Sequence, residues 1–453
     1  MLLTRSLVAL ALVVLPARAL AIEIAVPCET PSVFSAAAVN VVVLPYSLPS
    51  TFTGPSTNAG EQIAGLVQLE TVLAIAKFGS IGVTQLVGDT RRGCTPDIVL
   101  DKLLGRQGGA REPMRLGSGL ILIWGRIFQS GSDLFLQSFI RFLRAGIDES
   151  VDIAVRDRSL KGLLSTQAFA CAPRKIAIKD IDEAQRQFRS ARLLYSKPDA
   201  SSPSVKIPDG AGPLAYWVTD LRGEWVQLEP MDRGSNRKFE RGWLQVRATD
   251  AQWSLRRQMP ELYFVEGAAG YLMARVRSDR STIVEPSLQG ADSAIARYTD
   301  AWGSGAVLGS DAAAGGTPLA VAVPRQLRGV IALLRGGGSD AALTEARAQF
   351  ERAASLVPHS TNARNLVTIM RVAQAYRQPS ADQPLKRFVD EARGLLGADP
   401  DNVAILMNLD TIYDLVLAPN PAAPASWSLS ASEREQLMKQ RESMRPLLKR
   451  PAA

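Results

Sequence analysis

At 453 residues the chain is longer than one hydrophobic core usually serves, and its 46% hydrophobic and 21% charged residues are those of a folded protein. That balance excludes wholesale disorder, and a net charge of +8 whose lysines and arginines are interleaved with acids excludes a dedicated nucleic-acid arm. One histidine and three scattered cysteines supply no zinc-site spacing, and neither a Gly-x-Ser-x-Gly nor a Gly-Lys-Thr/Ser loop is present.

The first 21 residues carry Arg5, an unbroken apolar run from Leu7 to Leu15, Pro16, and small-residue sites at Ala17-Arg18-Ala19 and Ala19-Leu20-Ala21. This is the layout of a secretory signal peptide cleaved near Ala21, so the expectation is an exported, periplasmic protein. The run is too short to span a bilayer, and no later segment replaces it. Cys28 follows Pro27 well beyond the cleavage region, a poor acceptor for a lipoprotein acyl chain. Arg5 and Arg18 leave with the leader, and the remaining positive excess would favour encounters with anionic lipid or cell-wall polymer. Three cysteines allow three pairings. Cys28 and Cys94 sit in polar, loop-like contexts, whereas Cys171 sits in Phe-Ala-Cys-Ala, so the context favours a Cys28–Cys94 disulfide with Cys171 as a small core hydrophobe.

Val39 to Pro45 reads as a strand buried on both faces. Apolar residues at helical spacing from 59 to 77, closed by Gly79, predict a helix, and Ile81 to Val87 a second strand. Thr95-Pro96-Asp97 starts another helix, running to Gly105. The runs Leu120–Ile127 and Leu134–Phe142, joined by Ser130-Gly131-Ser132-Asp133, predict an antiparallel hairpin. In element order, and in the tract LILIWGRI…SGSDLFLQSFIRF, residues 38–145 resemble the α/β domains at the amino terminus of TolB and in CsgG-type secretion lipoproteins. That resemblance implies partner binding or assembly and carries over no catalytic residue; the acylated cysteine of the secretion lipoproteins is missing. Val151–Val155 and Leu160–Ala170 follow as strands and 180–194 as a helix. The Pro/Ser-rich stretch Ser196–Pro203 then marks a linker.

Between 213 and 248 lie three short aromatic strands, around Tyr216-Trp217, Trp225 and Gly242-Trp243, split by turn residues. Gly223, Trp225, Leu228, Gly242, Trp243 and Val246 resemble the pattern of bacterial SH3-like domains. The resemblance implies a small β-barrel whose aromatic groove, Tyr216, Trp217, Trp225 and Trp243, binds peptides or peptidoglycan stems. The alternative is that these aromatics fill the barrel, a reading that weighs more for Trp225 and Trp243 than for Trp217. In the carboxy-terminal half, Ala346, Phe350, Ala353 and Pro358 have the spacing of the second helix and exit turn of a tetratricopeptide repeat. Pro324 precedes Pro358 by 34 residues, that repeat's period, and Leu406, Asn408, Leu409 and Tyr413 match the first helix of a further repeat. Glu261–Met273 and Ala294, Tyr298 and Ala301 imitate an earlier pair.

The sequence therefore predicts a multidomain α+β protein: leader 1–21, an α/β domain with a mixed sheet at 22–195, linker 196–212, an SH3-like barrel at 213–248, tetratricopeptide-like helices at 252–418, and a linker and helix at 419–453. The only histidine, His359, follows Pro358 in a polar turn and reads as solvated. Carboxylate pairs such as Asp180/Asp182 and Glu433/Glu435 read as solvated helix faces. With no cofactor or metal expected, the function that follows is a non-enzymatic adaptor binding envelope proteins or peptides. The rivals are a peptidoglycan binder acting through the aromatic strands and a hydrolase with carboxylates clustered in the α/β domain. Nucleic acid is not an expected partner.

Overall fold

The computed structural model describes residues 33–49, 59–86, 95–106, 114–177, 194–205, 214–232, 237–245, 259–303, 318–418 and 422–448. The leader, Cys28, Cys94, Asp180 and Asp182 lie outside them, as does the glycine-rich stretch after Gly303. β1 (Val39–Ser47) is buried on both faces, as its run of valines requires. It pairs in parallel with β2 (Ile81–Gln85) on one side and with β3 (Gly119–Ser130) on the other. β3 turns back antiparallel into β4 (Asp133–Arg144). Alternation sorts the side chains. Val39, Val41, Val43, Ile121 and Ile123 enter a large core beneath α1 (Ala59–Ile75), while Val42, Leu44, Leu120 and Leu122 meet α2 (Pro96–Leu103) on the opposite face. Thr95 caps α2, its hydroxyl accepting from the Ile98 N–H.

β5 (Ser150–Val155) and β6 (Arg158–Leu163) form a separate two-stranded sheet, and β7 (Phe169–Ala170) and β8 (Arg174–Ile176) return to pair along β4. The expected linker at Ser196–Pro203 is instead a hairpin loop between β9 (Leu194–Tyr195) and β10 (Ser204–Val205). Its Asp199 side chain accepts from the Ser201 N–H and hydroxyl, an Asx turn that gives the polar residues local partners. Nor do the aromatic strands close into a free-standing barrel. β11 (Leu214–Arg222), β12 (Trp225–Asp232) and β13 (Gly242–Gln245) extend the main sheet, with Ala215, Tyr216 and Trp217 pairing with Thr84, Val83 and Gly82 of β2. The physical reason is β2 itself. One edge faces β1, and without β11 its other edge would leave buried main-chain groups unpaired. The strand order is β10-β9-β13-β12-β11-β2-β1-β3-β4-β7.

The remaining described chain is helical: α3 (Glu261–Val276), α4 (Ser281–Gly303), α5 (Leu319–Gly336), α6 (Asp340–Leu356), α7 (Thr361–Arg377), α8 (Lys386–Ala398), α9 (Val403–Leu417) and α10 (Ala431–Leu448). Ser339, Ser360 and Asn402 cap α6, α7 and α9 with side-chain oxygens. Ala346, Phe350 and Ala353 are fully buried on α6, and Pro358 occupies the turn after it. Pro324 does not lie in an exit turn; it sits inside α5. A proline there withholds the N–H that would bond the Ala320 carbonyl, and the Tyr298 hydroxyl donates to that carbonyl instead, at 2.9 Å. α3 packs on the sheet and on α1, so sheet and helices share one core running from β1 to Leu437 of α10.

Tyr46 at the end of β1 shows how tightly that core is filled. A Cβ added at Gly125 would lie 2.0 Å from the Tyr46 ring, and one at Gly60 would lie 1.9 Å from the Tyr46 carbonyl oxygen. Gly125→Ala is therefore expected to destabilise the fold by about 2 kcal/mol through overpacking. The urea midpoint measures this, and an unchanged midpoint would mean that the Tyr46 ring moves aside freely.

Candidate functional site

The four aromatic candidates do not form one groove. Tyr216 faces Val83 on the helical side and is buried in the main core. Trp217, Trp225 and Trp243 share the opposite face, by strand alternation across β11 to β13. Trp217 leans on Phe34 with ring centroids 6.0 Å apart, Trp225 stands edge-on to Tyr195, and the Arg222 guanidinium lies over Trp243. Between them Glu229 holds Lys238 and Arg241 at 2.7 and 2.8 Å. Burial pushes the Glu229 carboxyl up, but the two cations outweigh it and hold it below the ordinary carboxylate value. Trp243 is buried, whereas Trp217 and Trp225 are half-buried and keep ring surface at the face.

Of the helical candidates, Leu406, Leu409 and Tyr413 of α9 are packing residues, and the Tyr413 hydroxyl donates to Gln440 of α10. Asn408 has a different role. Its side-chain oxygen accepts from the Lys161 N–H at 2.6 Å, and its amide donates to the Lys161 carbonyl at 2.7 Å. One side chain thus engages both main-chain groups of a residue on the outer edge of β6, as a neighbouring strand would. Asn365 of α7 donates to the same carbonyl at 3.1 Å and accepts from Asn408 at 3.0 Å. On α5, Gln326 accepts from the Ser165 N–H at 3.3 Å. Three amide side chains, from α5, α7 and α9, therefore hold the main chain of residues 161–165. All three are almost completely buried, so their polar atoms need these partners.

Packing seats the same strand. Leu160, Val151, Ile153 and Val155 are buried in the core, and a Cβ at Gly162 would come within 2.4 Å of Leu366 and 2.9 Å of Ile369, both fully buried on α7. Arg158 ends the strand in an ion pair with Asp414 at 2.8 Å. Asp414 also holds Arg441 of α10, which pairs with Asp410 at 2.7 Å. Sequence reasoning found Asn408 as a helix-motif residue and missed Gln326, Asn365, Arg158, Gly162 and Asp414. The available signal was an amide standing among apolar residues at core spacing, as Asn365 does before Leu366 and Ile369.

A second polar cluster lies sealed between β4 and α3. The Tyr46 hydroxyl meets Ser138 at 3.0 Å, and Ser138 donates to Glu261 at 2.6 Å. Cys171, a buried free thiol, and Tyr298 adjoin them. Burial pushes the Glu261 carboxyl up, and the Ser138 hydroxyl, the helix's own N–H and Arg174 offset this only in part. Burial likewise raises the Cys171 thiol and the Tyr46 and Tyr298 hydroxyls. Among the described residues no group of three His, Cys, Asp or Glu side chains is placed to hold a metal ion, and no helix is long and apolar enough to cross a membrane. His359 is exposed in the turn after α6. Comparison with protein-family models, curated proteins and solved structures finds no match to the chain.

Two outcomes follow. Asn408→Ala strands the Lys161 N–H and is expected to cost about 2 kcal/mol; Asn365→Ala should cost less, because Asn408 still serves the carbonyl. Denaturant titration of both variants and the double variant checks the order, and additive losses would mean the two amides do not act together. For Glu261, folding raises the carboxyl value, so the unfolded chain ionises first and stability falls as pH rises through the folded value. Glu261→Gln keeps an acceptor for Ser138. It should melt with the wild type near pH 4 and above it at pH 8, and a lower melting temperature at pH 8 would refute the charge argument.

Proposed function

We propose that the protein is a non-enzymatic, exported adaptor of the cell envelope, which holds extended segments of protein through a tetratricopeptide-like helical array. The observation that carries this reading is the pair of amides on α7 and α9 that hold main-chain groups of an extended strand, with a third on α5 holding Ser165 just after it. Main-chain groups are common to every sequence, so a surface that bonds them recognises strand geometry first and side chains second. The apolar leader and the cleavage-like Ala-x-Ala sites support export. Among the described residues the Ser138–Glu261 cluster is buried and contributes to packing, which weighs against the hydrolase reading.

A second reading has an observation of its own. Trp217 and Trp225 keep ring surface on the sheet face away from α1 and α3, beside Lys238 and Arg241, whose two charges exceed the one on the Glu229 they share, a combination that suits a polymer with sugar rings and carboxylates. The two readings separate by experiment. Mature protein is crosslinked in periplasmic extract and, in parallel, sedimented with purified peptidoglycan, each with wild type and with Trp217→Ala/Trp225→Ala. The adaptor reading expects a discrete protein adduct that survives the double substitution. Sedimentation that falls at least about tenfold with the double substitution, without any protein adduct, would replace it with the polymer reading.

A further inference from the structure

The strand held by Asn365 and Asn408 belongs to this chain, so the array's recognition surface is filled from within. We propose that β6 is an exchangeable internal occupant, and that the site between α7 and α9 accepts in its place an extended segment of a partner with the pattern cation, any residue, apolar, any residue, glycine. This deepens the adaptor reading by naming the chemistry of the segment bound.

Four features support exchange. The β5–β6 hairpin is a two-stranded sheet of its own, joined to the main sheet by no ladder among the described residues, and such a hairpin is marginal in water. The two-residue connection that closes it places Arg156, not glycine, in the left-handed region at φ 58°, so the turn resists rather than drives hairpin formation. The array, not the hairpin, therefore holds the strand in place. Departure of β6 also leaves the site less bare than burial alone suggests: Asn408 keeps its bond to Asn365, and Asp414 keeps Arg441. Finally, the hairpin has a fixed base. The Leu164 N–H donates to the Glu149 carbonyl, and the Glu149 side chain is held by Arg144 and by the Tyr271 hydroxyl, each at 2.6 Å. Opening can occur beyond that base without disturbing β4 or α3.

The occupant's own sequence defines what fits. Gly162 is required where Leu366 and Ile369 close over the strand, and Leu160 enters the core two residues earlier. Arg158, two residues before that, reaches the acidic rim at Asp414. The main-chain bonds to Asn365 and Asn408 fix the register and make no demand on the residues between, while Ser165 stays on Gln326 behind the fixed base.

The probe is a capped, fluorescent peptide with the sequence of β6, residues 158–163, titrated into the full mature chain. A closed hairpin reduces apparent affinity by the fraction of molecules that are open. Gly162→Val in the protein expels its own strand by collision with α7, so this variant should bind the peptide at least about tenfold more tightly than wild type. Adding Asn408→Ala should abolish the gain, and a peptide with valine at the glycine position should not bind. Equal binding of the peptide and a scrambled one by the folded Gly162→Val protein would overturn the proposal. Native-state hydrogen exchange on the wild type gives a test that needs no variant: the Lys161 amide must exchange by local opening, faster than the amides of β1. Exchange of Lys161 only with global unfolding would overturn the proposal as well. Neither result depends on finding an envelope partner, so failure here is distinguishable from failure of the adaptor reading.

Discussion

α3 is buried on nearly every side, so it must be covered on nearly every side, and its buried carboxylates need partners there. Phe264 meets Phe142 and Phe169 of the sheet with ring centroids 5.8 and 5.2 Å apart, and Gly267 lets α4 approach so closely that a Cβ there would lie 2.3 Å from Ile295. On the remaining side Glu266 pairs with Lys77, just after α1. The helical array is therefore continuous with the sheet instead of tethered to it. Its orientation relative to β4 is set by packing, and the chain leaving β4 at Arg144 is delivered to the side of the array lined by α5, α7 and α9. Without α3 in that position the β5–β6 hairpin would have no surface to meet.

What the array does with that hairpin follows from the cost of burying amides. An asparagine in an apolar helix interface loses its water and regains stability only if donor and acceptor are both matched. Asn408 achieves this with both main-chain groups of one residue, an arrangement available only from a strand edge whose N–H and carbonyl point the same way. Asn365 and Gln326 extend the same logic to neighbouring helices. Leucines at these positions would pack more cheaply against an apolar loop. Amides are favoured where the neighbour is an extended backbone.

Much of the fold was legible because its signals are local. The valine run of β1, the Thr95 cap and the spacing of Ala346, Phe350 and Ala353 each lie within a few residues, and each appears where the spacing places it. The tryptophan strands were legible as strands but not as part of the main sheet. Their assignment to a barrel or to an extension turns on the pairing of Trp217 with Gly82, more than a hundred residues away, and alternation is the same in either arrangement. Pro324 misled for a related reason: proline spacing gives a period, while the hydroxyl of Tyr298 decides whether proline is tolerated inside a helix. Asn408 was visible as a residue of α9, but its partner at Lys161 is 247 positions away, beyond any pattern in one sequence.

The two candidate surfaces lie on opposite sides of one continuous sheet. The amides face the helical side, whereas Trp217 and Trp225 lie on the face turned away from α1 and α3. Surfaces joined by a flexible linker gain from each other only after the entropy of the linker is overcome. Here the separation is set by strands and helices that share a core, so a ligand on the tryptophan face and a strand in the amide site would be held at a fixed distance. Such rigidity favours one pair of ligand geometries over others. On the adaptor reading, specificity then arises from the spacing between two undemanding surfaces as much as from either surface alone.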